Sequence, residues 1–108
     1  MESTLLEGVQ ERIRGRNYRF TLHAGNRMTE RGISVGEIEE ALLSGDTEVI
    51  EEYPEDPRSP SFLALGITGS GRPLHLQCTY PPNVAIITAY EPNANEWIDW
   101  RTRRGDQP

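Results

Sequence analysis

Lysine is absent from the 108 residues, and all eleven basic side chains are arginine. Arginine's planar fork suits phosphate, but an all-arginine composition also follows from genome base content alone, so both readings stand at this point. A single cysteine, Cys78, excludes an internal disulfide and points to a reducing, cytoplasmic setting. No apolar run approaches the ~18 residues that a membrane span needs. The start, MESTLLEGVQER, opens on an acid and lacks the basic start and long apolar stretch of a signal peptide. Two histidines and one cysteine without short paired spacing exclude a metal site of ordinary pattern. The acids lack the alternating pattern and central glycine of a calcium loop. GSGR (69–72) is too short for a phosphate loop and lacks its lysine, and no Gly-x-Ser-x-Gly elbow occurs. No cofactor is therefore expected.

The charge that is present lies in blocks. The net charge is −6. Residues 1–36 carry six arginines against four acids, residues 37–56 carry nine acids and no base, and residues 57–108 carry five arginines against four acids. That distribution weakens any general nucleic-acid reading while leaving room for a local basic site. The acidic block is most simply the outer face of a helix and an exposed strand, and it can equally dock a basic partner.

The length bounds one domain, 1–108, with a core over about 17–104. Residues 3–15 are expected to form a helix capped by Ser3, with Leu5, Leu6, Val9 and Ile13 on one face. A short edge strand is expected next, at 17–20. Thr21 suits an N-cap for a helix over 22–31, with Gly32 as its stop. Ser34 and Glu37 form a capping box opening a third helix that turns Ile38, Ala41 and Leu42 inward and stops at Gly45. From there the period becomes two. Strands are expected at 47–53, 61–68, 72–80 and 84–90, separated by a proline-broken loop and two turns. Asn93 and Glu96 predict a last helix to about Arg104, with Trp97 and Trp100 on its inner face. The class is α+β: a helical hairpin on a roughly four-stranded antiparallel sheet, plus a C-terminal helix.

Residues that bear chemistry cluster in two places. His23, Arg27 and Arg31 recur every fourth residue, a slanting stripe on the second helix beside Ala24 and Met28. A solvated face explains this stripe, with Arg27 paired to Glu30 or Glu37; a phosphate grip explains it as well. His23 falls in the first helical turn, where the dipole disfavours imidazolium and favours a neutral base. His75 lies on an alternating strand, with Gln77 and Thr79 on its face and Leu74, Leu76, Cys78 and Tyr80 on the other. If Ala85, Ile87 and Ala89 face the core, Thr88 and Tyr90 share the side of His75. Cys78 is read as a buried small hydrophobe. A DNA-binding helix-turn-helix at 22–44 is disfavoured, because its second helix carries Glu37, Glu39 and Glu40 and no base.

Three segments, HAGNRMTERGIS (23–34), GDTEVIEEYPEDPRSPSFLALG (45–66) and GRPLHLQCTYPPNVAIITAYEPNANEWIDW (71–100), resemble the bacterial family called domain of unknown function 4258. That family looks like a relative of the RelE/MqsR-type ribonuclease toxins, and its own members are often encoded beside small zinc-finger proteins of the antitoxin kind. The resemblance implies a RelE-like fold and a metal-independent endoribonuclease of a toxin–antitoxin system. RNA would be the substrate, a separately encoded zinc-finger protein the partner. It points to His23, Arg27, Arg31, His75 and Tyr90 as the site. The two histidines would divide acid and base roles, the arginines would hold the phosphate, and Tyr90 would orient it or stack a base. A non-catalytic protein-interaction module of the same fold is the alternative, with the acidic block as docking surface.

Overall fold

The computed structural model describes residues 4–106. Helix α1 (Thr4–Arg14) leads to strand β1 (Arg19–Phe20), then α2 (Leu22–Arg31) and α3 (Val35–Leu43). Strands β2 (Glu48–Tyr53), β3 (Ser61–Ile67), β4 (Pro73–Thr79) and β5 (Ala85–Tyr90) come next, then two short strands β6 (Trp97–Ile98) and β7 (Thr102–Arg103). Ser3, expected as the first cap, lies outside the described residues.

Local chemistry explains the helix ends. The Thr21 hydroxyl accepts from the Ala24 N–H at 3.1 Å, and Gly32, at φ 65°, donates its N–H back to the Met28 carbonyl. Ser34 and Glu37 form the reciprocal capping box. Strands β2 to β5 make an antiparallel meander, as the alternation predicts. The expected strand at 17–20 shrinks to two residues and pairs parallel with β5. The sheet is therefore five-stranded and mixed, in the order β1-β5-β4-β3-β2.

One face of the sheet carries the helices. α2 lies along β5, α3 sits on β3, and α1 packs on α3. Ala24, Met28, Ile38, Ala41 and Leu42 meet Phe62, Ala64, Leu74, Leu76, Cys78, Ile86 and Ala89 in one core. Phe62, Leu74, Leu76 and Ile86 are fully buried, each contributing roughly 1.5–3 kcal/mol of transfer free energy. Ile87 does not face this core. A bulge in β5 sets Thr88 opposite Gln77 and Ile86 opposite Cys78, so Ile87 is the extra residue. Thr88 and Tyr90 nonetheless stay on the His75 side.

The expected C-terminal helix is absent among the described residues. Asn93 starts one turn, accepting from the Glu96 and Trp97 amides, and then the chain reverses. Asp99 and Trp100 both take positive φ, 51° and 64°, and β7 folds back on β6 with Trp97 opposite Arg103. Tertiary contact overrides a weak helical signal here: Trp97 is buried and stacked under the Arg103 guanidinium, 4.6 Å from its ring centre. The ribbon covers the second face of the sheet, where Leu63, Leu65 and His75 are buried.

Gly66 marks the closest approach of sheet to helix. A Cβ there would sit 2.1 Å from the Ala41 carbonyl oxygen. Gly66→Ala should therefore destabilise the fold by about 3 kcal/mol, whereas Gly25→Ala, in open space within α2, should stabilise it by about 0.5–1 kcal/mol. Urea unfolding of both variants tests the pair; equal midpoints would refute the packing.

Candidate functional site

Strand β4 turns Leu74, Leu76 and Cys78 to the helices and His75 to the ribbon. His75 is fully buried. Its Nε2 lies 2.6 Å from the Trp100 carbonyl and its Nδ1 lies 3.1 Å from the Tyr90 hydroxyl. A carbonyl only accepts, so Nε2 carries the proton and bare Nδ1 accepts from the Tyr90 O–H. The ring is thus neutral with both nitrogens used. Burial depresses its pKa, against the raising effects of the Trp100 carbonyl and Glu51. Burial also pushes the Tyr90 phenol up to about 12, so it keeps its proton.

Aromatic contacts tie this pair into a line. Trp97 meets His75 edge to face at 4.4 Å, and Tyr90 meets it at 5.2 Å. Arg103 over Trp97 also binds Glu51 at 2.8 Å, and Tyr53 donates to the same carboxylate. Burial would raise Glu51, but Arg103 and Tyr53 outweigh it and hold the carboxyl below its usual range. At the other end, Arg31 donates to the Ala89 carbonyl at 2.9 Å and lies 5.9 Å from the Tyr90 ring centre.

The five predicted residues separate into two groups. Arg31, Tyr90 and His75 are brought together. His23 and Arg27 are not: they ride on the helix layer, on the other side of the sheet from the His75 ring. His23 is exposed, and its side chain makes no hydrogen bond among the described residues. Arg27 pairs with Glu30 at 2.6 Å, an exposed contact worth about 0–1 kcal/mol. Arg31, Arg72, Tyr90, Glu91 and Glu96 line an open cleft of about 580 Å³, within the size range of small-ligand sites.

Sequence reasoning missed Arg72, although it stands in the quoted Arg-Pro-Leu-His run. Its guanidinium donates to Glu91, Glu37 and the carbonyls of Gly32 and Arg31, stitching β4 to the turn between α2 and α3. It missed the Trp100 carbonyl and Arg103 as well, since both depend on the chain reversal at Asp99. The pairing of Trp97 with Trp100 was the only signal pointing there. Cys78 is fully buried, its thiol pushed up to about 12 by burial. Among the described residues, no group of three or more His, Cys, Asp or Glu is placed to hold a metal ion, and no helix is long and apolar enough to cross a membrane.

The sequence profile of a domain of unknown function, DUF4258, matches residues 20–91, two thirds of the chain. Neither a curated protein nor a solved structure matches it. The match includes His75 and Tyr90 and stops short of the ribbon that covers His75.

His75→Ala leaves a cavity beside Trp97 and strands the Tyr90 hydroxyl and Trp100 carbonyl, so it should cost about 3 kcal/mol in urea unfolding. The pH dependence has a definite sign. The unfolded chain protonates His75 more readily than the folded one, so its contribution is complete above about pH 6.5 and declines as the pH falls below that value. Stability measured between about pH 7 and 5 should fall for the wild type and fall less for His75→Gln. Parallel curves for the two proteins would refute the buried neutral ring.

Proposed function

Because the chain belongs to the DUF4258 family, we propose that it is a non-catalytic protein-interaction module of that family, in which the motif histidine and tyrosine hold the fold. One observation carries this reading: both nitrogens of the fully buried His75 are spent on Tyr90 and Trp100. A group that transfers protons to a phosphodiester must reach it, and this ring meets only protein. His23, the remaining histidine, stands on the opposite side of the sheet.

The docking surface is the acidic edge made by α3, β2 and the loop after it. Four of the nine acids there are taken by arginines: Glu37 by Arg72, Glu48 by Arg101, Glu51 by Arg103 and Asp56 by Arg58. Exposed Glu40, Asp46, Glu52 and Glu55 have no ion pair among the described residues. A basic protein is the partner this edge suits, and a separately encoded zinc-finger antitoxin is one candidate of that kind.

A second reading keeps the toxin-like, RelE-type ribonuclease. It is supported by the contiguous line Arg31–Tyr90–His75 beside an open cleft. On this reading the ribbon withdraws from His75 when RNA binds. His75 then carries the proton transfer, with Arg31 and Tyr90 on the phosphate; His23 and Arg27, on the helix side, lie outside this line, and no metal takes part.

Incubation of labelled RNA with purified protein separates the two. The module reading expects intact RNA and no difference in cell growth between expression of wild type and of Arg31→Ala. Cleavage that disappears in Tyr90→Phe and in Arg31→Ala would establish the nuclease instead.

A further inference from the structure

The arginines of this chain divide by whether an acid answers them. Those of the C-terminal half are largely taken: Arg58, Arg72, Arg101 and Arg103 are ion-paired, and Arg104 donates to the Ala94 carbonyl. Arg12, Arg14, Arg16 and Arg19 have neither an ion pair nor a side-chain hydrogen bond among the described residues. These four cations fall within eight residues, at the end of α1 and on the edge strand β1.

Helix electrostatics explains part of this. Arg12 and Arg14 lie in the last turn of α1, where cations offset the negative end of the dipole. Arg16 and Arg19 lie beyond the helix and are not explained that way. Arg16 is also conformationally misplaced. The Arg16 N–H bonds the Ile13 carbonyl, the Asn17 N–H bonds the Arg12 carbonyl at 2.8 Å, and Arg16 takes φ 56°. That left-handed helix-ending position favours glycine, so a bulky cation there is held against local preference.

A hollow of about 250 Å³ opens at this corner, lined by Arg12, Asn17, Tyr18, Arg19, Pro82 and Asn83. The donors come from three directions: the helix end, the edge strand and the turn before β5. The side-chain amides of Asn17 and Asn83 carry no hydrogen bond among the described residues. Glu39, an acid linked to this wall, is occupied by the Tyr18 hydroxyl at 2.6 Å. Donors converging from several directions match a tetrahedral phosphate better than a planar carboxylate.

We propose that the corner between α1, β1 and the Pro82–Asn83 turn is a phosphate-binding site, with Arg12 and Arg19 as its charged walls, Asn17 and Asn83 as neutral donors and Arg16 at its rim. The phosphate is either free or part of a nucleic-acid backbone. The site goes beyond the module reading and does not depend on it, its charged walls being arginines of α1 and β1 rather than acids of α3, β2 or the loop after β2. Residues 12–19 precede the segment matched by the family profile, and Pro82 and Asn83 lie within it.

Binding of fluorescein-labelled single-stranded oligothymidylate, inorganic pyrophosphate and oligoglutamate to the full chain at low salt provides the test. Loss of one arginine contact should weaken phosphate binding on the order of tenfold. Arg16→Gly should do so while leaving the melting temperature unchanged or raising it, because glycine fits the backbone there. Arg12→Gln with Arg19→Gln should abolish measurable binding, and Arg101→Gln, on an arginine paired with Glu48 at the far edge strand, should change nothing. A steeper salt dependence for the oligonucleotide than for pyrophosphate, reduced by about one in log–log slope in Arg16→Gly, identifies a nucleic-acid backbone as the source. Pyrophosphate binding with no oligonucleotide binding identifies a free phosphate. Binding of neither, binding indifferent to Arg12, Arg16 and Arg19, or oligoglutamate binding as tight as the oligonucleotide would overturn the site. Cleavage of RNA would overturn the module reading and leave the site standing, so the two failures are distinguishable.

Discussion

The burial of a neutral histidine governs how this molecule is closed. A ring taken wholly out of water must satisfy two nitrogens, and His75 does so with partners from two different elements. Tyr90 comes from the neighbouring strand, and its hydroxyl faces the ring because β4 and β5 place the two residues directly opposite. The Trp100 carbonyl arrives from the C-terminal ribbon, so the ribbon is held by a polar bond as well as by apolar contact. Without that carbonyl the Nε2 proton would be buried and unpaired, and the second face of the sheet would open to water. Membership of a family therefore does not by itself assign chemistry to this ring.

Charge is sorted by the same sheet. Its order puts β1, with Arg19, at one edge and β2, with Glu48, Glu51 and Glu52, at the other. Four of the nine acids in residues 37–56 act as internal counter-ions. Arg101 and Arg103 of the ribbon reach Glu48 and Glu51 on β2, which fastens the ribbon across the sheet from the side opposite Tyr90. Arg72 performs the equivalent task on the helix side, joining β4 to Glu37 of the capping box and to Glu91. Backbone donation from Ser34, reinforced by Arg72, keeps Glu37 ionised below the usual carboxylate range. A sequence with formal charge −6 thus presents a basic corner, because most of its paired arginines lie elsewhere.

The elements governed by local chemistry were legible in the sequence, and those governed by distant contact were not. Helix α2 has the expected bounds because Thr21 and Gly32 determine them from within. The meander arises from alternation, glycine turns and prolines, with boundaries off by a residue. The second strand pairing of β5 was invisible: two residues, Arg19 and Phe20, carry no periodicity. The bulge at Ile87 was equally hidden, since VAIITAY alternates well in either register. The last helix failed because Asn93 and Glu96 do begin a turn, while the path of the chain beyond it is decided by Trp97 seating against His75. Among the site residues, the sharing of one face by His75 and Tyr90 was readable from strand phase. The separation of His23 from them was not, since a helix stripe says nothing about which side of the sheet it will cover.

The matched segment 20–91 contains the His75–Tyr90 pair but neither Trp97 nor Trp100. Within that segment alone, the outer face of β4 and β5 would present an imidazole, a phenol and the Arg31 guanidinium to solvent. Here residues 97–103 lie over the imidazole, and the positive φ at Asp99 and Trp100 directs the Trp100 carbonyl onto it. Two non-glycine residues in succession at positive φ is an unfavourable arrangement, maintained only where surrounding contacts over-determine it. Those contacts are the edge-to-face Trp97 ring, the Arg103 stack and the two ion pairs to β2. The covering of His75 is therefore a specified part of this chain, and any chemistry at that face has to displace all of them together.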